Sequence, residues 1–294
     1  MVMVESLNLH QYPFTPKRVT LESGHEISCV DEGQGKTIVF LHGNPSWSYL
    51  YRNLITSLQS TKRCIAPDHL GCGLSDKPQD YPYLLENHID NLDHVLDQLK
   101  VETCILVMHD WGGAIGMGWA GRHPERVDGL VLMNTAAFRS KLIPWRIAVC
   151  RWPLIGPLLV RGMNAFAGAA IYMAVTRKLN REIADGFLYP YDSWANRVAV
   201  MGFVKDIPLE ENHPSWLELG KVEKGLELLN KKPMLFCWGG RDFCFHDAFY
   251  REWQRRFPGA ECYHYPEAGH YLLEDEFEAV KQNIAGFLAT HADA

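Results

Sequence analysis

Short apolar segments alternate with longer amphipathic segments along most of this 294-residue chain. Several of the apolar segments are continuous runs, which is typical of strands covered on both faces. They predict strands at residues 37–42, 64–68, 104–109, 129–134, 233–238 and 261–265. The amphipathic segments predict helices at residues 46–58, 86–99, 112–123, 247–257 and 274–290. This alternation predicts an α/β protein whose mostly parallel central sheet is wrapped by helices.

The alternation is interrupted between residues 138 and 230. That stretch is rich in Trp, Pro, Met and Arg and shows helix-like pieces but no clear strand. It is predicted to be a helical cap inserted between two strands, at the end of the sheet where strand termini carry function. The sequence thus predicts a core made of residues 16–137 and 231–290 and a cap made of residues 138–230.

Composition narrows the class of protein. With 29 Lys+Arg against 35 Asp+Glu, the net charge of −6 argues against a general nucleic-acid binder. The sequence contains no run of eighteen or more apolar residues, so no membrane span is predicted. Residues 1–15 lack the basic start and apolar stretch of a signal peptide. The eight cysteines are scattered without a CxxC pair, and the spacing of Cys237, Cys244 and His246 fits no common zinc site. We therefore predict a cytoplasmic protein with reduced cysteines and no metal.

Asp110 is the candidate nucleophile. An apolar strand ending at His109 passes directly into a helix beginning near Gly112, as in a nucleophile elbow that exposes a side chain on a strained turn. The usual elbow has Ser at this position and Gly two residues earlier, whereas this chain has Asp110 and Met108. The alternative is that Asp110 only caps the following helix.

His270 and Asp242 are the candidate partners of Asp110. His270 follows the last predicted strand. The chain order of nucleophile, acid and histidine is the one found in enzymes that have a nucleophile elbow. Asp242 lies after the strand at residues 233–238 and would orient the imidazole. Asn134, after the preceding strand, carries no charge, and Asp247 resembles a helix cap, so we favour Asp242 as the acid.

The loop after the first predicted strand supplies the fourth part of the candidate site. In this arrangement an oxyanion hole is formed by two backbone amides. One comes from that loop, at Asn44, and the other from Trp111, the residue after the nucleophile. Both residues also carry a side-chain N–H donor, and two such donors facing an apolar pocket can hold a departing anion.

The choice of Asp over Ser indicates the type of reaction. Attack by serine on a saturated carbon leaves an ether, which water does not readily cleave. Attack by the Asp110 carboxylate leaves an ester, which His270 can hydrolyse by activating water. The residue type therefore predicts substitution at an sp3 carbon, without an organic cofactor. The glycine-rich segments at residues 33–36 and 71–73 lack the spacing of a nucleotide site and are predicted to be turns.

With these residues in place, the sequence resembles the haloalkane dehalogenase family over roughly residues 19–287. The resemblance is strongest at residues 42–49, 68–78 and 109–113. It implies an α/β-hydrolase fold, Asp110 as nucleophile, His270 as base, Asn44 and Trp111 as halide-stabilising donors, and a helical cap over a pocket for a small apolar substrate. Dehalogenation is the function that we place first.

Other activities share the same motifs. Residues 161–167 and 192–197 are similar to cap segments of β-lactone decarboxylases of bacterial olefin biosynthesis, whose triad and Asn–Trp pair are the same. Decarboxylation of dialkyl β-lactones is therefore the alternative. Epoxide hydrolases also use this elbow, and Tyr172, Tyr189 and Tyr191 are available as acids, but their first loop usually has an aromatic residue in place of Asn44. A catalytically dead receptor is disfavoured by the intact triad, and the oligomeric state is left open.

Overall fold

The computed structural model describes residues 9–291, and within that range the chain forms one eight-stranded sheet with the order β1-β2-β4-β3-β5-β6-β7-β8. At one edge of the sheet, β2 pairs antiparallel with β1 on one side and with β4 on the other. The other neighbouring pairs are parallel. The strands are β1 Lys17–Thr20, β2 Glu26–Glu32, β3 Thr37–Leu41, β4 Arg63–Pro67, β5 Cys104–His109, β6 Val127–Met133, β7 Met234–Gly239 and β8 Glu261–Tyr265.

Helices cover both faces of the sheet, with two large buried apolar clusters between the layers. The α-helices are α1 Arg52–Leu58, α2 Leu85–Gln98, α3 Trp111–Arg122, α4 Trp145–Cys150, α5 Ile155–Pro157, α6 Ala165–Met173, α7 Arg181–Leu188, α8 Val198–Asp206, α9 Pro214–Leu226, α10 Asp247–Arg256, α11 Leu272–Asp275 and α12 Phe277–His291. In the part of the chain that the structure describes, no helix combines the length and apolar composition needed to cross a membrane.

All six predicted strands are confirmed, and β3, β5, β6 and β7 are buried along most of their length, as their continuous apolar runs predict. The antiparallel pair β1–β2 was not predicted. In β1 only Val19 is buried, so a four-residue edge strand carries too little periodicity to be recognised. Gly24, at a φ of 82°, makes the tight turn that joins the two strands.

The single helix predicted at residues 274–290 is wrong, because the structure divides this segment into α11 and α12. The chain leaves helical geometry at Glu276, whose φ is −134°. Asp275 ends α11, and its carboxylate accepts backbone hydrogen bonds from Gly269 and Thr176. The acidic pair at residues 274–275 therefore ends a short helix rather than beginning the long one.

The helices α4 to α9 lie between β6 and β7, where the helical insertion is predicted. The last of them, α9, packs closely on α3. A Cβ added at Gly121 would lie 2.9 Å from the Gly225 Cα, so the two helices approach through their glycines. Arg122 also donates to Glu218 of α9 at 2.9 Å. The insertion thus returns to the core through α9, and the division at residues 138 and 230 stays a prediction.

Close packing at the start of α3 yields a stability prediction. A Cβ at Gly112 would lie 2.0 Å from the carbonyl oxygen of Leu41, which belongs to β3 and cannot move aside easily. We expect Gly112→Ala to lower the free energy of unfolding by about 1–3 kcal/mol through overpacking. Gly286→Ala in α12 is the control, because nothing lies within 4 Å of the added Cβ. Thermal unfolding should show Gly286→Ala to be neutral or stabilising, and equal destabilisation by both changes would contradict the packing argument.

Candidate active site

Asp110 occupies a strained turn between β5 and α3. Its φ of 53° and ψ of −128° are a backbone conformation that few residues other than glycine adopt. Neighbouring strands hold it there, since its N–H donates to the Asn134 carbonyl at 3.1 Å and its own carbonyl accepts from Thr135 Oγ1 at 2.5 Å. A Cβ at Gly43 would lie 2.1 Å from Asp110 Oδ1, so only glycine lets the two loops approach this closely. The elbow geometry predicted from the sequence is present.

The two carboxylate oxygens of Asp110 have different surroundings. Oδ1 accepts from the backbone N–H of Asn44 at 2.9 Å and from that of Trp111 at 2.5 Å. Oδ2 lies 3.5 Å from Nε2 of His270. Asp110 therefore caps α3 through the Trp111 amide. A helix cap alone does not explain the additional donor from Asn44 in a second loop or the nearby imidazole of His270. Oδ1 is fixed between two donors, while no backbone N–H of the described residues donates to Oδ2.

The imidazole of His270 connects the two carboxylates. Its Nδ1 lies 2.7 Å from Oδ2 of Asp242, and all three side chains are buried. The other Asp242 oxygen accepts from the Cys244 backbone N–H at 2.7 Å. The ring also lies nearly parallel to Phe245, at 5.9 Å between centroids. The carboxylate and the aromatic ring together fix the orientation of the imidazole.

The two residues considered as alternatives to Asp242, Asn134 and Asp247, contact other partners than His270. Asn134 exchanges two hydrogen bonds with the backbone of Gly239, at 3.0 Å and 2.8 Å, and so ties the end of β6 to β7. Asp247 is the first residue of α10, is 43% exposed and lies 3.0 Å from His264. The structure therefore brings Asp242, and neither alternative, to His270.

Charge and burial have opposite effects on the pKa values of His270 and Asp110. Burial lowers the pKa of His270, but the charge of Asp242 and the contact with Asp110 outweigh it and raise the pKa to about 10. Burial raises the pKa of Asp110, but the hydrogen bond and charge of His270 outweigh it and hold the pKa below its ordinary value. At neutral pH the resting site therefore holds an ionised Asp110 beside a protonated His270.

The predicted anion donors both line the cavity above Asp110. The Asn44 side-chain amide donates one hydrogen to the carbonyl of Val200 in α8 at 3.2 Å, and an amide nitrogen has a second hydrogen to offer. Its Oδ1 is buried and accepts no hydrogen bond from the described residues. The Trp111 ring packs against Phe203, also in α8, at 5.3 Å. Contacts with α8 thus orient both donors.

The cavity itself has a volume of about 260 Å³ and lies between Asp110 and the helices of the insertion. Its lining is mostly apolar and includes Phe138, Ile147, Phe166, Met173, Leu219, Phe243 and Phe249. None of the tyrosines Tyr172, Tyr189 and Tyr191 lines it, although they were available as acids for epoxide opening. A mostly apolar cavity lined by a carboxylate, an imidazole and two residues with side-chain N–H donors suits displacement on an apolar substrate.

Asp275 is a supporting residue that sequence analysis missed. Its buried carboxylate accepts from the Gly269 N–H at 2.8 Å and from the N–H groups of Thr176 and Arg177 at 3.0 and 3.1 Å. It thereby joins the His270 loop to the segment that follows α6. The only sequence signal is an acidic residue five positions after His270, inside the segment predicted to be a helix.

Comparison with known proteins identifies the family. The model of the α/β-hydrolase fold family matches residues 36–277 of the chain. The chain belongs to this family. The fold class predicted from the sequence is confirmed, and the protein is an enzyme of the α/β-hydrolase superfamily.

Individual relatives carry both predicted resemblances. A cis-3-alkyl-4-alkyloxetan-2-one decarboxylase of Shewanella oneidensis is 44% identical over 273 residues, covering 90% of this chain and 86% of the relative. A haloalkane dehalogenase of Mycobacterium bovis is 30% identical over 267 residues, covering 90% and 91%. The crystal structure of the haloalkane dehalogenase DatA from Agrobacterium tumefaciens superposes with a TM-score of 0.84 at 28% identity, covering 94% and 96%. The resemblance to dehalogenases and to β-lactone decarboxylases is therefore confirmed, with the higher identity to the decarboxylase.

Proposed function

We propose that this enzyme decarboxylates cis-3,4-dialkyl β-lactones to olefins, which is the alternative predicted from the sequence rather than dehalogenation. The observation that carries the proposal is the 44% identity to an oxetan-2-one decarboxylase over nine tenths of the chain, against 30% for the dehalogenase. The largely apolar cavity above Asp110 supports it, because the substrate carries two alkyl chains.

The geometry of Asp110 suggests how the reaction proceeds. Oδ2 attacks the saturated ring carbon that bears the ring oxygen; that C–O bond breaks, and its electron pair stays with the new substrate carboxylate. The C–C bond to this carboxylate then breaks, and its electron pair forms the double bond. The bond to Oδ2 breaks at the same time and restores the aspartate. The products are an olefin and carbon dioxide, and neither water nor a net proton is consumed.

In this scheme the other site residues position the Asp110 carboxylate and stabilise the negative charges that form during the reaction. The amides of Asn44 and Trp111 hold Oδ1 and so aim Oδ2 at the substrate. Both residues line the cavity, and in this scheme their side-chain N–H groups stabilise the carboxylate that leaves the ring carbon. Protonated His270, kept charged by Asp242, stabilises Asp110 as it departs as a carboxylate. We propose that these five residues form the working site.

Dehalogenation is the second candidate function. The Asn44 and Trp111 donors favour it, because two N–H groups at one end of an apolar cavity also suit a halide. Here the aspartyl ester must be hydrolysed, so His270 has to lose its proton and activate water. Esterification removes the negative charge of Asp110, which lowers the pKa of His270 toward that role. The two reactions thus share every residue but differ in their need for water.

A direct comparison of substrates tests the proposal. The purified enzyme is assayed with a cis-3,4-dialkyl β-lactone and with a series of bromoalkanes, following olefin, carbon dioxide and bromide. We expect kcat/KM for the lactone to exceed that of every bromoalkane at least about a hundredfold, equivalent to about 2.7 kcal/mol in transition-state free energy. A bromoalkane turned over as efficiently as the lactone would instead identify a dehalogenase.

Labelled water separates the two routes independently of rate. In water enriched in oxygen-18, hydrolysis of an aspartyl ester introduces label into Asp110, whereas decarboxylation leaves it unlabelled. Mass spectrometry of the peptide that contains Asp110, after many turnovers of the lactone, should show no label. Label in that peptide would contradict the decarboxylation scheme even if olefin is formed.

A further inference from the structure

The segment that runs from β6 to the start of α7 has an unusual charge balance. Between Asp128 and Glu182 the sequence contains eight Lys or Arg residues and no Asp or Glu, although acidic residues exceed basic ones in the whole chain. Four of these basic residues pair with carboxylates from other parts of the chain, and the other four, Arg146, Arg151, Arg161 and Lys178, form no ion pair with a described residue. Such a region favours an anionic partner.

Large apolar side chains are exposed in the same segment. Trp145 is 71% exposed, Trp152 54% and Leu154 88%, with Leu142 and Leu158 both at 59%. We call these five side chains the cap face. They belong to α4, to the turn after it and to the segment on either side, so they lie close together along the chain. Clustered exposed apolar side chains of this size mark interaction surfaces in proteins.

One residue of the cap face, Leu142, lies at the mouth of the catalytic cavity. Leu142 and Arg146 line that cavity and are both exposed, so the cavity opens at their position. Trp145 lies between a cavity-lining proline and Arg146 but does not itself line the cavity. The cavity mouth therefore lies in the same stretch of chain as the exposed apolar side chains of the cap face.

Not every basic group near the cap face is available to a partner. Arg139 and Lys141 pair with Glu223 and Glu211, at 2.5 Å and 3.1 Å. Among the described residues, no carboxylate lies within salt-bridge distance of Arg146, whose guanidinium packs instead on the Trp145 ring at 5.4 Å. This pairing of an unneutralised arginine with an exposed indole lies at the cavity mouth.

Two further arginines near the cap face, Arg161 and Arg151, form no ion pair with a described residue. Arg161 donates to Gln79 at 2.6 Å and packs over the Trp194 ring at 4.7 Å. Arg151 donates to the Ile207 carbonyl. The charges of Glu210 and Asp206 act on Arg151, whereas no carboxylate of the described residues acts on Arg161, so Arg161 adds the larger positive charge near the cap face.

We propose that the cap face docks on an anionic lipid surface. Tryptophan and leucine side chains enter the boundary between headgroups and acyl chains, while arginines beside them meet the anionic phosphates. Docking places the cavity mouth against the membrane, where an apolar substrate dissolves. A protein partner on the cap face would cover this mouth, and this disfavours it as the occupant. The proposal goes beyond the proposed function and does not depend on it, because both candidate substrates are apolar.

Vesicle co-sedimentation tests the proposal without any substrate. Full-length protein is mixed with vesicles of phosphatidylcholine alone or of phosphatidylcholine with phosphatidylglycerol. We expect binding to the anionic vesicles, weakened by added salt and at least about tenfold lower with neutral vesicles. The triple variant Trp145→Ser/Trp152→Ser/Leu154→Ser should bind the anionic vesicles at least about tenfold more weakly.

Matched controls keep this test specific. Leu228→Ser/Tyr263→Ser removes two exposed apolar side chains outside the cap face and should bind as the wild type does. Failure of the wild type to bind anionic vesicles, or equal binding by the triple variant, would overturn the proposal. So would sedimentation showing that the wild type self-associates while the triple variant is monomeric and neither binds vesicles, because the cap face would then join two copies of the chain. Since no turnover is measured, these outcomes are separate from failure of the decarboxylase assay.

Discussion

Asp110→Asn is expected to reduce turnover of the lactone by roughly 10⁴- to 10⁶-fold, the range seen when a covalent nucleophile is removed. Asparagine has the same shape, and its carbonyl oxygen can still accept from the amides of Asn44 and Trp111. It also tolerates the positive φ of 53° better than alanine does. The fold should therefore persist while the attacking carboxylate is lost.

Olefin formation and thermal unfolding of the Asp110→Asn variant check this prediction together. The melting temperature should stay near that of the wild type, so that the lost activity is attributable to chemistry. Turnover within about tenfold of the wild type in the folded variant would remove the basis for an aspartyl ester. Residual activity that grows during incubation would instead indicate deamidation to aspartate, which mass spectrometry of the peptide detects.

The elbow and its partners were predictable because their signals are local. Asp110 lies between a continuous apolar strand and a glycine-containing helix start, and that order of residues is visible over a few positions. Asp242 and His270 each follow a strand, and the carboxyl ends of parallel strands meet at one edge of the sheet. Strand order along the chain therefore implied that the three side chains converge, as they do in the structure.

Features that depend on distant contacts were not predictable. The Asn44 side chain is oriented by the Val200 carbonyl, 156 residues away. Asp275 joins the His270 loop to Thr176, and nothing in the local sequence distinguishes it from a helix cap. The apolar lining of the cavity comes largely from the insertion, whose short helices carry no pattern that tells a cavity residue from a core residue.

For a chemical reason, the motifs alone do not rank the proposed lactone substrate first. Displacement of a halide and opening of a β-lactone both begin with carboxylate attack on a saturated carbon, so both need the same nucleophile and anion donors. Motifs built around Asp110 therefore cannot rank the two reactions. Identity over nine tenths of the chain is higher to the decarboxylase than to the dehalogenase, at 44% against 30%, and this difference carries the proposal.

Asp242→Asn is expected to reduce turnover by roughly 10²- to 10⁴-fold, in line with the loss of the acid from other triads. The charge of Asp242 is the largest contribution that raises the pKa of His270 to about 10 against the effect of burial. Without this charge the pKa of His270 falls, and at neutral pH a smaller fraction of the imidazole is protonated. In decarboxylation the departing Asp110 carboxylate then loses its cationic partner.

The sign of the pH dependence follows from this role. If protonated His270 is the active form, wild-type olefin formation should persist as pH rises and decline near pH 10, whereas the decline in Asp242→Asn should move to lower pH. Titration of the His270 ring by NMR in both proteins measures the same shift directly. Asp247→Asn is the control, because Asp247 is partly exposed and contacts His264 instead of His270. If Asp247→Asn lowered activity more than Asp242→Asn, or if the alkaline limb did not move in Asp242→Asn, Asp242 would not be the residue that keeps His270 charged.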